Sequence, residues 1–327
     1  MLQEKAISNF FHGKSATALV MVVAVLCCLL AWQRGAVAHI SGNLGLGLPA
    51  PNGWLPFTPL SALVNMGLSL LMALLFIYIN RRFNILRSLT ALPGTMFLAM
   101  LTALPTVTGQ FYGGSLLLLI GLWCLSLLYS VYAEPRGQRQ VFLIFFLLSA
   151  SAFTQAAFVF YMPVFLIGCI QMRILNLRTV IAALLGIITP PWILFGFGIV
   201  DPRHMEWPQL VVAWSAFDKA EIAHAMAVTV VTVSAGVVFT VANILKILSY
   251  NSRVRAYNGF LTLLEIFTAV FILLNFNNFT FYIPLLDCLV AYQIGHFFTY
   301  RRSKRSYIPI LLMLLLYFGL YVWGILS

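Results

Sequence analysis

The run YIPILLMLLLYFGLYVWGI at residues 307–325 contains no charged residue. As an α-helix it would be about 28 Å long, close to the thickness of a bilayer's hydrocarbon core. Arg301, Arg302, Lys304 and Arg305 stand directly before it. A basic cluster at one end of such a run marks the cytoplasmic side of a transmembrane helix. The same unit recurs along the chain, with apolar runs at about 15–32, 59–80, 89–105, 114–133, 141–155, 157–172, 179–200, 222–245, 257–276, 282–300 and 307–326. If the first residue is cytoplasmic, these runs leave all but three of the 19 lysines and arginines inside; only Arg34, Arg203 and Lys219 fall outside. A missed or extra crossing would scramble that division. The expectation is an all-α polytopic transmembrane helix bundle of about 11 spans, N-terminus in and C-terminus out. It forms one transmembrane domain over residues 1–327, with outer segments 33–58 and 201–221 lying at the interface.

Composition supports the class. Hydrophobic residues make up 62% of the chain and charged residues 8%, against about 25% charged in soluble domains. Continuous runs of this length exclude a β-barrel, whose strands alternate over about ten residues. The formal charge of +11 is explained by loop residues that orient the chain, so no nucleic acid partner is expected. Cys27, Cys28, Cys124, Cys169 and Cys288 all fall inside apolar runs without a CxxC pair, and read as small buried hydrophobes. Residues 36–38 (AVA) resemble a signal-peptidase site, but the preceding run is long and Arg34 interrupts it, so the first run reads as a retained span.

Two places strain the pattern. Only residues 140–172 separate Arg139 from Arg173, whereas two crossings need about 40 residues. Either both spans are short and the membrane thins, or the tip around Thr154 and Gln155 lies below the outer surface. The second option is tolerated only if that tip is packed in protein or lines a wet cavity. At the other place, Pro190 and Pro191 should kink or break the seventh span.

Glu265, Asp287 and His296 are the only ionisable residues well inside predicted spans. Buried charge in a membrane is costly, so such positions are candidates for binding or coupling; a structural carboxylate satisfied by a neighbouring hydroxyl or amide is the plainer alternative. Counted from the span ends, Glu265 and His296 share a level in the inner half and could pair, while Asp287 belongs to the outer half. Outside, Asp201, His204 and Glu206 cluster after the seventh span, ahead of Trp207 and Trp214. They are candidate catalytic groups at the interface. No spacing is diagnostic of a metal site and there is no P-loop, so no cofactor is expected.

The ordered set Asn84-Ile85-Leu86, Leu92-Pro93-Gly94, Phe153-Thr154-Gln155 and Phe281-Tyr282-Ile283-Pro284-Leu285 resembles a family of polytopic inner-membrane proteins from Bacteroidota. That likeness covers most of the chain and implies no particular activity. The late aromatic-Pro-Leu stretch and the outer interfacial segments are also similar to the C-type membrane glycosyltransferases, which use polyprenyl-phosphate sugars. Those enzymes carry an Asp or Glu in the first outer loop, and residues 33–58 contain neither.

The leading functional expectation is an inner-membrane protein of envelope biogenesis on a C-type-glycosyltransferase-like scaffold. It would handle a lipid-linked substrate, with membrane lipids and a polyprenyl-phosphate-linked molecule as partners. Asp201, His204, Glu206 and Asp287 would line an outward cavity with Gln155 at its floor. The alternatives are an ion-coupled secondary transporter using Glu265 and Asp287, and a non-catalytic subunit of a membrane complex.

Overall fold

A computed structural model describes residues 14–35, 45–86, 90–204, 219–275, 278–300 and 307–326. These residues form an all-helical bundle in which each apolar run becomes a helix: α1 Lys14–Gln33, α2 Pro59–Phe83, α3 Leu92–Thr102, α4 Gly113–Ser130, α5 Gln138–Ala152, α6 Phe158–Gln171, α7 Leu177–Gly196, α8 Lys219–Ile247, α9 Ser252–Leu274, α10 Phe279–Tyr300 and α11 Tyr307–Leu326. Eight are long and apolar enough to cross a membrane; α3, α5 and α6 are apolar but shorter. The chain is thus a multi-pass, membrane-embedded protein.

Local chemistry fixes the helix ends. Thr58 caps α2, accepting from the Ser61 amide at 3.4 Å, with Pro59 in the first turn. Asn84 closes α2 in the left-handed region, at φ 50°, where asparagine is better tolerated than most residues. Asn176 and Thr179 form a reciprocal capping box on α7, and Asn251 caps α9 by accepting from the Val254 amide.

The third run yields only 11 helical residues, about 16 Å. Pro105 is the reason. The residue before a proline avoids the helical region, and Leu104 is extended at φ −110°, ψ 90°, before a one-turn helix Pro105–Thr108.

Of the expected kink or break at Pro190 and Pro191, the break does not occur: α7 continues through both to Gly196. Pro191 has no N–H, which frees the Ile187 carbonyl four residues earlier. Ser149 Oγ on α5 donates to that carbonyl at 2.8 Å. A side chain from the neighbouring helix therefore replaces the lost backbone donor, and α5 and α7 pack along their length.

The short α5–α6 hairpin is packed in protein. Leu48 N donates to Phe153 O at 3.0 Å, and Leu46 N to Ala152 O at 3.4 Å. Gly45 lies so close that a Cβ there would meet the carbonyls of Phe153 and Thr154. Residues 45–48 thus form a strap over the tip, and Gln155 beneath it is 3% exposed.

α10 stands at the centre, packed on α3, α4, α8 and α9. Contacts at the helix ends follow the alternation read from the sequence. At one end, Tyr129 and Tyr257 each donate a hydroxyl to the other's carbonyl at 2.8 Å, and Arg253 Nε donates to Tyr257 OH. At the opposite end, Gly113 N donates to Asn52 Oδ1 at 2.6 Å, and Tyr112 OH shares a hydrogen with Thr280 Oγ1 at 2.7 Å. Large apolar side chains on α7, α8 and α11, such as Trp192, Val238 and Leu312, face outward.

Candidate functional site

α8 carries Thr229, Thr232, Gly236, Thr240 and Asn243. Their spacing of three and four residues places them on one face, and that face meets α9 and α10. The four polar members are buried. Opposite them stand Thr262 and Glu265 on α9, and Asp287 and Gln293 on α10.

Glu265 is 6% exposed. Thr240 Oγ1 donates to its Oε2 at 3.0 Å, and Gln293 also stands beside the carboxyl. Gly236 gives the carboxyl its room, since a Cβ there would lie 2.5 Å from Glu265 Oε1 and 2.9 Å from Val290. Asn243 Nδ2 donates to Gln293 O at 2.9 Å and to its Oε1 at 3.1 Å, and Gln293 Nε2 donates to Thr262 Oγ1 at 3.1 Å. The chain Thr240–Glu265–Gln293–Asn243 links three helices through neutral donors and a single carboxyl. Amides and hydroxyls of this kind join membrane helices where lipid offers no partner.

Asp287 differs. It is 0% exposed, and among the described residues no group meets either carboxyl oxygen in full hydrogen-bond geometry. The Thr232 hydroxyl stands beside it and is itself 3.2 Å from Tyr317 OH on α11. Asp287 lies six residues before Gln293, about 9 Å along α10, so the two carboxyls occupy successive levels of one seam. Among the described residues neither forms an ion pair with a lysine or arginine.

His296 does not pair with Glu265, contrary to the expectation from depth. Its ring lies 5.6 Å from that of Tyr250, it sits near Lys246, and its Nδ1 is buried without a partner. Equal depth on neighbouring helices does not fix azimuth. On α10 the residue turned toward Glu265 is Gln293, and His296 lies about 4.5 Å further in.

The outer candidates are only partly described. Asp201 is exposed and its Oδ1 accepts from the Arg203 amide at 2.9 Å, opening the short turn Pro202–His204. Glu206 lies outside the described residues. Asp287 is enclosed within the bundle, Asp201 is exposed, and Gln155 is buried at the α5–α6 tip. His224 is structural: its Nε2 is 2.8 Å from Leu320 O, and its ring meets Trp323 edge-on and fills the space above Gly324. That clamps α8 to α11. Among the described residues no three His, Cys, Asp or Glu come together.

Sequence reasoning named the charged members of the seam and missed its neutral ones: Thr232, Gly236, Thr240, Asn243 and Gln293. The α8 stripe at helical spacing was the available signal.

Protein-family models, curated proteins and solved structures were compared with the chain, and none of them matches it. The class is therefore carried by the fold and its polar seam alone.

Proposed function

We propose that the protein is an ion-coupled secondary transporter with eleven crossings in an inner membrane, N-terminus inside and C-terminus outside. Its coupling groups are Glu265 and Asp287. One observation carries this reading: two carboxyls stand enclosed at successive levels of a polar seam between α8, α9 and α10, with no lysine or arginine paired to either among the described residues. A purely structural carboxyl would be expected to have its hydrogen bonds complete within the protein, and among the described residues Asp287 has only the Thr232 hydroxyl beside it to bond with. Intramembrane ionisable groups that face a bundle interior mark ion or substrate paths. The inside–outside assignment follows from the basic residues, which flank the ends predicted to be cytoplasmic.

A second reading has one observation in its favour. Asp201 is exposed directly after α7, at the end predicted to face outward, where an enzyme on a C-type-glycosyltransferase-like scaffold would meet a lipid-linked substrate of envelope biogenesis. The resemblance to Bacteroidota inner-membrane proteins, read from the sequence, would suit either reading.

Complementation of a deletion strain at matched protein levels separates them. Glu265→Gln and Asp287→Asn should abolish function, with Asp201→Asn and Glu206→Gln tolerated. The reverse pattern would overturn the transporter and leave the enzyme. Tolerance of all four would remove both and leave a non-catalytic membrane subunit.

A further inference from the structure

We infer that the ion taken up by this seam is the proton, held on Asp287 and Glu265, rather than sodium or another metal cation. This rests on the transporter reading and names its coupling ion. A metal cation entering a bundle must replace its hydration shell, commonly with about six oxygens. Helical transporters obtain them by interrupting a helix within the membrane, so that unwound carbonyls face the ion. Here α8, α9 and α10 run unbroken past both carboxyls, as Lys219–Ile247, Ser252–Leu274 and Phe279–Tyr300. Their carbonyls are committed to the helices' own hydrogen bonds. Pro284 frees one carbonyl on α10, that of Thr280, but it lies seven residues before Asp287, about 10 Å outward.

Side chains do not make up the difference. Beside Asp287 the oxygens are its own two, Thr232 Oγ1 and Tyr317 OH. Beside Glu265 they are its own two and Thr240 Oγ1, because Gln293 meets the carboxyl through a donor while its amide oxygen accepts from Asn243. Among the described residues the oxygens named at either carboxyl number four at most. A proton needs only one oxygen, and a protonated carboxyl can stand enclosed without a counter-charge.

Among the described residues no neighbouring charge pairs with either carboxyl. Asp287 is faced by Thr232 from α8 and Tyr317 from α11, with Cys288 next in the chain. α3 carries no titratable side chain. On α4, Cys124 points to the Ile144 carbonyl and Tyr129 meets Tyr257 at the far end of α9, where Arg253 also lies. His224 on α8 is turned to Leu320. Glu265 is faced by Thr240 and Gln293, with His296 and Lys246 further in.

The cycle would form one O–H bond on a carboxylate oxygen from one side of the membrane and break it on release to the other. No electron or other group moves. Thr232 and Thr240 lie on one face of α8, so hydroxyls are available at both levels.

The test is infrared spectroscopy of the purified full-length protein in sodium-free buffer, in H2O and D2O, with and without added sodium chloride. Protonated-carboxyl C=O bands should be present at neutral pH and shift in D2O. One should be lost in Asp287→Asn and one in Glu265→Gln, and sodium should leave them unchanged. Absence of such bands in the wild type, or their loss on adding sodium, would overturn the proposal. If a carboxyl variant fails to fold, Thr232→Val serves instead: it keeps Asp287 and should shift its band, and an unshifted band counts against the assignment. The complementation test reports the transporter reading separately. Protonated bands combined with an essential Asp201 or Glu206 would keep the proton site and end the transporter. Sodium-sensitive bands with essential Glu265 and Asp287 would do the opposite.

Discussion

α10 and α11 have nearly the same length, 22 and 20 residues, and both qualify as membrane spans. Yet 94% of the α10 span lies buried inside the protein, against 22% of α11. α10 carries Asp287, Gln293 and His296, whereas the polar groups of α11 are tyrosines. In a water-soluble bundle the buried helix would be the more apolar of the two. In lipid, an apolar side chain gains little by moving from acyl chains to protein, so packing and hydrogen bonding decide which helix takes the centre. Within this fold, polarity marks the interior and apolarity the rim.

The sharpest way to break that comparison is to enlarge a glycine on each side. A Cβ on Gly114 of α4 would lie 2.7 Å from the Phe281 carbonyl oxygen and 3.0 Å from Pro284 Cγ, both on α10. Backbone and a proline ring cannot swing aside. Gly114→Leu is expected to cost about 3 kcal/mol by overpacking. On α11, a Cβ at Gly319 meets nothing within 4 Å, so Gly319→Leu should stay within about 0.5 kcal/mol of the wild type. Denaturant titration in detergent reads both. Equal losses would mean that α11 also has a protein neighbour on that face.

A smaller contrast comes from removing side chains. Leu289 on α10 is 2% exposed and Leu315 on α11 is 55% exposed. Leu289→Ala leaves a cavity that packed neighbours fill only in part, at about 2–3 kcal/mol. Leu315→Ala leaves a gap that detergent or lipid fills, so its effect should be close to zero. A large loss at Leu315 in the same titration would show that burial, and not the solvent on the far side, is the wrong basis for the comparison.

Much of the rim was legible in the sequence because hydropathy reports contact with lipid. The apolar runs and the helices correspond one to one, and the last run, 307–326, coincides with α11. The centre was harder to read. α3 is short because Pro105 stops it, and it is embedded in neighbours rather than matched to a bilayer. The α5–α6 hairpin was recognisably too short, but the strap at residues 45–48 that shelters its tip depends on contacts remote in sequence. Pro190 and Pro191 read as a kink or break because the donor that repairs α7, Ser149, sits on another helix. For the site, charge pointed to Glu265, Asp287 and His296, while the neutral residues that orient them required reading α8 as a face. Glu206 falls where the description stops.

The finest test concerns how the seam is wired. Depth alone suggests that Glu265 and His296 meet, whereas the structure joins Glu265 to Thr240 and Gln293 and turns His296 toward Tyr250 and Lys246. Residues that share a hydrogen bond couple energetically, and residues without shared partners add. Glu265→Leu combined with Thr240→Val should therefore show a coupling of about 1 kcal/mol, because either change alone removes one partner of the 3.0 Å bond. Glu265→Gln combined with His296→Gln should be additive to within about 0.5 kcal/mol. Gln293 stands between them on α10, three residues from His296, and offers a route for indirect coupling. A double-mutant cycle in detergent measures both pairs on the same protein. Strong coupling to His296 that disappears in a Gln293→Leu background would mean that the amide relays it. Strong coupling that survives there would mean that the carboxyl and the imidazole meet directly, and that α10 is rotated from the position described.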